Sequence, residues 1–278
     1  MKIGMFTSGY QRNPLEHVFQ DAKEFGYDYV ELYGARPHAY GPDLEAGDIK
    51  QVRELIDRYE MPVYGYVPEH NLYPYNYMIG PEAQRLDAVA YLKLCLDVAK
   101  ELGASFMMTS PANGGYLATY DELWPRLEKT IRELGEYAAT KEIKLVVEPL
   151  TPYESNFFTR ANDLVELFRR VDNPWVVGMC DVVPPFVQHE SIMAYFDKLG
   201  SKMYHMHIID GEQGTDSHIM PGEGSMPLPE LFCELKRAGY EGTATIELVT
   251  GYINEPRMYA RRAINNVRAM MDAAGLSK

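Results

Sequence analysis

Eight short runs rich in β-branched and aromatic residues alternate along the chain with longer amphipathic stretches, and this alternation limits the possible fold more than any other feature. The runs are KIGMF from Lys2, YVELY from Tyr29, PVYGYV from Pro62, SFMMTS from Ser105, IKLVVE from Ile143, WVVGMCD from Trp175, KMYHMHI from Lys202 and TATIELV from Thr243. A strand-length run followed by a helix-length one reads as a βα unit, and consecutive βα units build a parallel sheet. Gly26, Gly103, Gly200 and Gly239 stand just before four of the runs, where the end of a helix favours a left-handed residue. The joints FGYDYVEL and AGYEGTATIEL are near copies, as repeated units would be. Eight units in 278 residues, without a Ser/Pro-rich linker, predict an α/β protein: a single-domain (β/α)8 TIM barrel over 1–278. Such barrels run to about 250 residues. A doubly wound open sheet is the structural alternative, but no G-x-G-x-x-G follows the first run to support it.

Composition removes several function classes. Asp plus Glu number 40 against 27 Lys plus Arg, a net charge of -13 that repels phosphate backbones and argues against a broad nucleic-acid surface. No run approaches the ~20 apolar residues that cross a bilayer, and MKIGMFTSGYQ has no long apolar h-region. A cytoplasmic protein with no membrane partner is therefore expected. Cys95, Cys180 and Cys233 are scattered and form no C-x-x-C, so they read as buried thiols rather than disulfides or zinc ligands.

A barrel carries its function at the C-terminal ends of its strands, and four consecutive runs present metal-ligand side chains there. Glu148 ends the fifth run, Asp181 the sixth, His205 and His207 lie on the seventh, and Glu247 lies on the eighth. Side chains alternate faces along a strand, so His205 and His207 share a face opposite Met206, Glu247 shares one with Thr245, and Asp181 opposes Cys180. The polar set then points into the barrel. Only His207 is near the end of its strand, and His205 sits a layer deeper. Any one of these acids is also explained as a helix cap or a solvated loop residue; it is the set that points to a metal. Three carboxylates and one imidazole suit one divalent ion with open positions (Mn, Co, Ni, Mg or Fe) rather than a closed structural zinc.

At these residues the chain resembles the xylose-isomerase-like barrels and, among them, the ketose 3-epimerases of the tagatose and psicose type. The resemblance rests on Glu148, Asp181, the second His of H-x-H at His207, Glu247, and the P-G-x-G of Pro221–Gly224. It implies that all four residues bind the metal and that Glu148 and Glu247 are also the catalytic acid and base. It also implies that Glu154, six residues after Glu148 in EPLTPYES, contacts substrate, and that the protein is a homo-oligomer. Two positions depart from the pattern. Pro184 stands where a substrate-contacting His is usual, and His218 stands where an Arg is usual. Both departures fall on substrate contacts, which fits a substituted ketose such as a fructosamine.

The implied reaction inverts C3 of a ketose or ketosamine through an enediolate, with the metal as Lewis acid and two carboxylates on opposite faces of the substrate moving the proton. His218, Tyr66 and Asn113 are further candidate substrate contacts. Asp216 with His218 forms an Asp-x-His that could hold a second metal, contact substrate or brace the PGEG loop. Tyr64, Tyr66 and Glu31 lie near strand ends, where pocket lining and barrel filling account for them equally. The aromatic loop His70 to Met78 either covers the mouth or is a packed or interface loop. Arg257, Arg261, Arg262 and Arg268 read as a solvated helix face. Competing readings are an aldose-ketose isomerase or dehydratase on the same scaffold, a zinc-dependent DNA-repair endonuclease, and a sugar-binding protein without catalysis. The endonuclease needs more His ligands than SPANGGY offers.

Overall fold

The computed structural model describes residues 1–71 and 74–276. Its eight parallel strands close into a barrel in sequence order. They are β1 Lys2–Phe6, β2 Tyr29–Gly34, β3 Val63–Pro68, β4 Phe106–Thr109, β5 Lys144–Val147, β6 Val176–Asp181, β7 Met203–Ile208 and β8 Thr243–Ile246. Each strand is followed by a helix that packs on the outside: Leu15–Phe25, Ile49–Tyr59, Glu82–Glu101, Tyr120–Lys141, Ala161–Val171, Met193–Leu199, Leu228–Arg237 and Pro256–Ala274. The expected βα alternation, with all eight strand positions, is therefore the observed architecture. The runs overshoot some strands by one to three residues. Glu148 and Glu247 stand just beyond β5 and β8, although their N–H groups still donate to Thr109 O at 3.0 Å and Ile208 O at 3.4 Å. Among the described residues, no helix is long and apolar enough to cross a membrane.

Period-two alternation divides the core in two. Ile3, Val30, Leu32, Leu145, Ile208 and Ile246 face outward and pack under the helices. Phe6, Val67, Phe106, Met108, Val146, Val177 and Met179 fill the interior. Glycines make room for the rings that cross it: a Cβ on Gly4 would lie 2.1 Å from the Tyr29 ring, and one on Gly65 would lie 2.3 Å from the Phe106 ring. Register slips by one residue between β2 and β3 at Val30/Glu31 and between β6 and β7 at Gly178/Met179.

The last helix closes the seam between the eighth and first units. Arg257 donates to the buried Asp21 at 3.0 Å, and Asp21 also accepts from the Tyr10 hydroxyl at 2.9 Å. Arg268 reaches Asp28 at 2.8 Å. This basic face is thus a latch rather than merely solvated. Cys95 and Cys180 are buried as expected, whereas Cys233 is half-buried.

Gly65→Ala forces its new methyl against Phe106 and against Glu31 Cγ at 3.0 Å. The variant is expected to lose about 1–3 kcal/mol of stability, read from the midpoint of urea unfolding. An unchanged midpoint would mean that the interior relaxes around the added carbon.

Candidate metal centre and active site

The barrel interior between β2, β7 and β8 is polar, and its pivot is Glu31, which is fully buried. One Glu31 oxygen lies 3.0 Å from His205 Nε2 and the other 3.0 Å from His207 Nε2. Thr245 Oγ1 donates to the first of these, and the Tyr29 hydroxyl lies 3.0 Å from Thr245 Oγ1. Burial opposes ionisation of Glu31, but the two imidazoles outweigh it and hold the carboxyl well below its usual range. An ionised carboxylate can only accept hydrogen bonds, so both Nε2 atoms carry the proton. His205 Nδ1 is then free to accept from Thr243 Oγ1 at 2.8 Å. In the neutral ring, His207 Nδ1 keeps its lone pair.

That Nδ1 atom is buried without a hydrogen-bond partner. It faces Glu247 at 3.2 Å and Glu148 at 3.7 Å. Glu148, Asp181 and His207 offer ligand atoms within 4.8 Å of one another, as do Asp181, His218 and Glu247. Burial alone lowers the pKa of His207, yet Glu31 and Glu247 carry it well above the ordinary value, so this position draws positive charge to Nδ1, proton or metal ion. Asp181 is oriented from its own strand end: one oxygen accepts the Val183 N–H at 2.8 Å, and the other lies 3.7 Å from His218 Nε2.

The two glutamates are pushed in opposite directions. Burial drives Glu148 well up, opposed by His207 and reinforced by the charges of Asp181 and Glu247. Burial also acts on Glu247, but His207 and His218 overcome it and hold the group at about 2. His218, 3.4 Å from Glu247, is pushed up to about 11: burial disfavours its charge, and Asp181 and Glu247 more than offset that.

Around this centre a cavity of about 190 Å³ opens at the C-terminal mouth, walled by Glu148, Glu154, Asp181, His218 and Glu247 on one side. A larger cavity of about 660 Å³ lies at the opposite end, by Lys2, Tyr64 and Tyr204, and none of the candidate ligands lines it. Glu154 is exposed as a residue, but its carboxylate accepts from Thr151 N–H at 3.3 Å and Oγ1–H at 3.0 Å. Desolvation, followed by the charge of Asp216, raises it to about 7. Asp216 stays at the exposed rim; desolvation raises its pKa and His218 opposes the rise.

Two expected substrate contacts do not face the cavity. Tyr66 is on the outer face of β3, fully buried, with its hydroxyl on Ala39 O at 2.8 Å. The register slip beside it leaves Gly65 and Val67 as the inward neighbours, as their contacts with Phe106 and the interior cluster show. Asn113 does not line the mouth; its Oδ1 accepts Gly115 N–H at 2.8 Å and fixes its own loop. In the aromatic loop, Tyr75 stacks on Tyr91 at 3.8 Å and Tyr77 on His70 at 6.0 Å, so these rings are packed inward. Leu72 and Tyr73 lie outside the described residues.

From the sequence, Glu31 is explained by pocket lining or by barrel filling, and Asp210 is not singled out. The signal for Glu31 was an acid on the inward face of β2, in a barrel whose H-x-H needs an acceptor. Asp210 is the brace of the PGEG loop, accepting Gly222 N–H and Met226 N–H, each at 2.9 Å.

The chain matches the xylose isomerase-like TIM barrel family over residues 19–270. It is 49% identical over 271 residues to the curated fructoselysine 3-epimerase of Shigella flexneri, covering 98% of each chain. Among solved structures it is similar to the 3-keto-D-glucoside 4-epimerase of E. coli, with a TM-score of 0.81 at 19% identity, covering 97% of this chain and 99% of that one. The D-psicose 3-epimerase of Clostridium cellulolyticum H10 gives a TM-score of 0.79 at 18% identity, covering 98% and 99%. The chain belongs to the xylose isomerase-like TIM barrel family and, within it, stands with the fructoselysine 3-epimerases.

Proposed function

We propose that the protein is a metal-dependent epimerase that inverts C3 of a ketosamine, converting fructoselysine to psicoselysine. The observation that carries this reading is the convergence of two carboxylates, Glu148 and Glu247, on the point where Asp181 and the unpartnered Nδ1 of His207 also meet. The 49% identity to curated fructoselysine 3-epimerases supports the substrate. Resemblance also supports self-association.

The donor set fits a divalent cation. Two buried carboxylates, Glu148 and Asp181, and the half-buried Glu247 around an imidazole lone pair repel one another unless positive charge lies between them, and oxygen-rich sites with one nitrogen suit Mn, Co, Ni, Mg or Fe. When bound, the ion would act as a Lewis acid on adjacent substrate oxygens and stabilise the negative charge that develops as the C3 proton leaves. Glu148, Asp181, His207 and Glu247 would hold it, and Glu31 fixes the His207 tautomer from behind. Glu148 and Glu247 do the proton work: one accepts the C3 proton, the C–H electron pair shifts toward the C2 carbonyl oxygen, and the other returns a proton to the opposite face. Burial pushes Glu148 up while His207 and His218 hold Glu247 down, so the two carboxyls stand in electrostatically unlike surroundings. Glu154, near 7, supplies a partner for a substrate hydroxyl, and His218 is the second such contact.

Glu148→Gln and Glu247→Gln are each expected to keep the far-UV spectrum and to lower epimerisation by at least about 10²-fold. The assay is deuterium incorporation at C3 of fructoselysine in D2O with Mn(II). Near-full turnover by either variant with metal bound would sink the two-base assignment.

Glu31→Gln presents an amide where two Nε2–H groups need acceptors. One imidazole must turn or change tautomer, and Mn(II) affinity measured by calorimetry is expected to fall roughly 10–100-fold. Wild-type affinity in that variant would mean that His207 is not held by Glu31.

A further inference from the structure

The proton-transfer scheme uses one side of the mouth cavity and leaves the other without a task. That other wall is formed by Phe6, Tyr33, Val67, Glu69 and Met108. The Phe6 ring lies 5.6 Å from the His207 ring and 5.7 Å edge-on from Tyr33, so an aromatic surface runs outward from the metal ligand. Thr7 Oγ1 accepts the Tyr33 N–H at 2.9 Å, and the Tyr33 hydroxyl donates to the Glu69 carboxylate.

Among the described residues, Glu69 is paired with the Tyr33 hydroxyl and with no cation. Among the described residues, no Lys or Arg lines this cavity. The adjacent His70 is buried, with Nδ1 on Pro68 O at 2.6 Å and Nε2 on Ser110 N–H at 3.0 Å, and burial lowers its pKa, which keeps it neutral. A carboxylate aimed by a phenol, in a cavity that no described Lys or Arg lines and whose His218 is engaged on the opposite wall by Asp181 and Glu247, offers a place for positive charge from a ligand.

We infer that Glu69, oriented by Tyr33, is the specificity residue that pairs with a cationic nitrogen of the ketosamine substrate, while Phe6, Val67 and Met108 receive the methylenes of its arm. The inference rests on the epimerase reading above and adds which side of the mouth takes the amine. Fructoselysine offers two alkylammonium groups, the secondary one on C1 and the α-ammonium at the far end of the arm. Both have the chemistry that Glu69 requires.

The test uses the full-length, Mn(II)-loaded protein with fructoselysine, Nα-acetylfructoselysine and psicose as substrates, comparing wild type with Glu69→Gln, Glu69→Asp and Tyr33→Phe. In Glu69→Gln the ratio of kcat/KM for fructoselysine to that for psicose is expected to fall about 10-fold or more, carried by KM. Glu69→Asp should recover part of it, and Tyr33→Phe should show a smaller fall in the same direction. A penalty that persists with the acetylated substrate assigns the C1 nitrogen, and one that disappears assigns the α-ammonium. An unchanged ratio, or equal losses on fructoselysine and psicose, overturns the inference. Calorimetric binding of fructoselysine separates the two readings. A wild type that binds fructoselysine but incorporates no deuterium sinks the epimerase proposal, whereas weaker binding by Glu69→Gln alone would still support the pairing.

Discussion

The structure turns on one buried carboxylate. Glu31 has no solvent access, and an isolated ion in such a place costs several kcal/mol after relaxation. It persists because His205, His207 and Thr245 direct hydrogen bonds at its two oxygens. The same bonds settle the chemistry one layer above. With Nε2–H committed to Glu31, the opposite nitrogen of His207 is turned toward Glu148, Asp181 and Glu247, and it is buried without a hydrogen-bond partner. A stabilising network in the middle of the barrel thus leaves an unsatisfied nitrogen at its top. Both properties follow from one proton position.

The barrel around this pivot is asymmetric. Strands β3 to β6 fill the interior with Val67, Phe106, Met108, Val146, Val177 and Met179, while β2, β7 and β8 fill it with Glu31, His205, His207 and Thr245. The apolar part needs glycines on neighbouring strands to admit its rings, and the polar part needs every donor matched to an acceptor. At the mouth the division continues. Carboxylates and His218 gather on one side, and Phe6, Val67 and Met108 lead toward Tyr33 and Glu69 on the other. A sugar ring wants polar partners and a charged, flexible arm wants an apolar path to a counter-ion. The two walls differ in that respect.

Much of this was legible beforehand because it depends on local periods. Strand-length runs, the glycines before them and the inward parity of His205, His207 and Glu247 require only that side chains alternate along a strand. The four candidate ligands could therefore be named from their positions at strand ends. Tyr66 and Asn113 could not be placed that way. Tyr66 follows a register slip that only strand pairing reveals, and Asn113 is used by the N–H of Gly115 two residues on. Asp210 carried no signal because its partners are backbone groups of a loop that the sequence shows only as glycine-rich.

The sequence by itself determined the parallel eight-fold architecture and the side-chain types at the strand ends, since hydrophobic period and residue chemistry act over a few neighbours. The closed barrel decided which of those side chains meet. Glu31 and His207 are 176 positions apart, and only closure brings them to 3.0 Å. Whether a carboxylate at a strand end becomes a ligand, a brace or a partner for substrate depends on where its neighbours' protons point. That is a property of three-dimensional packing and is not written in the order of residues.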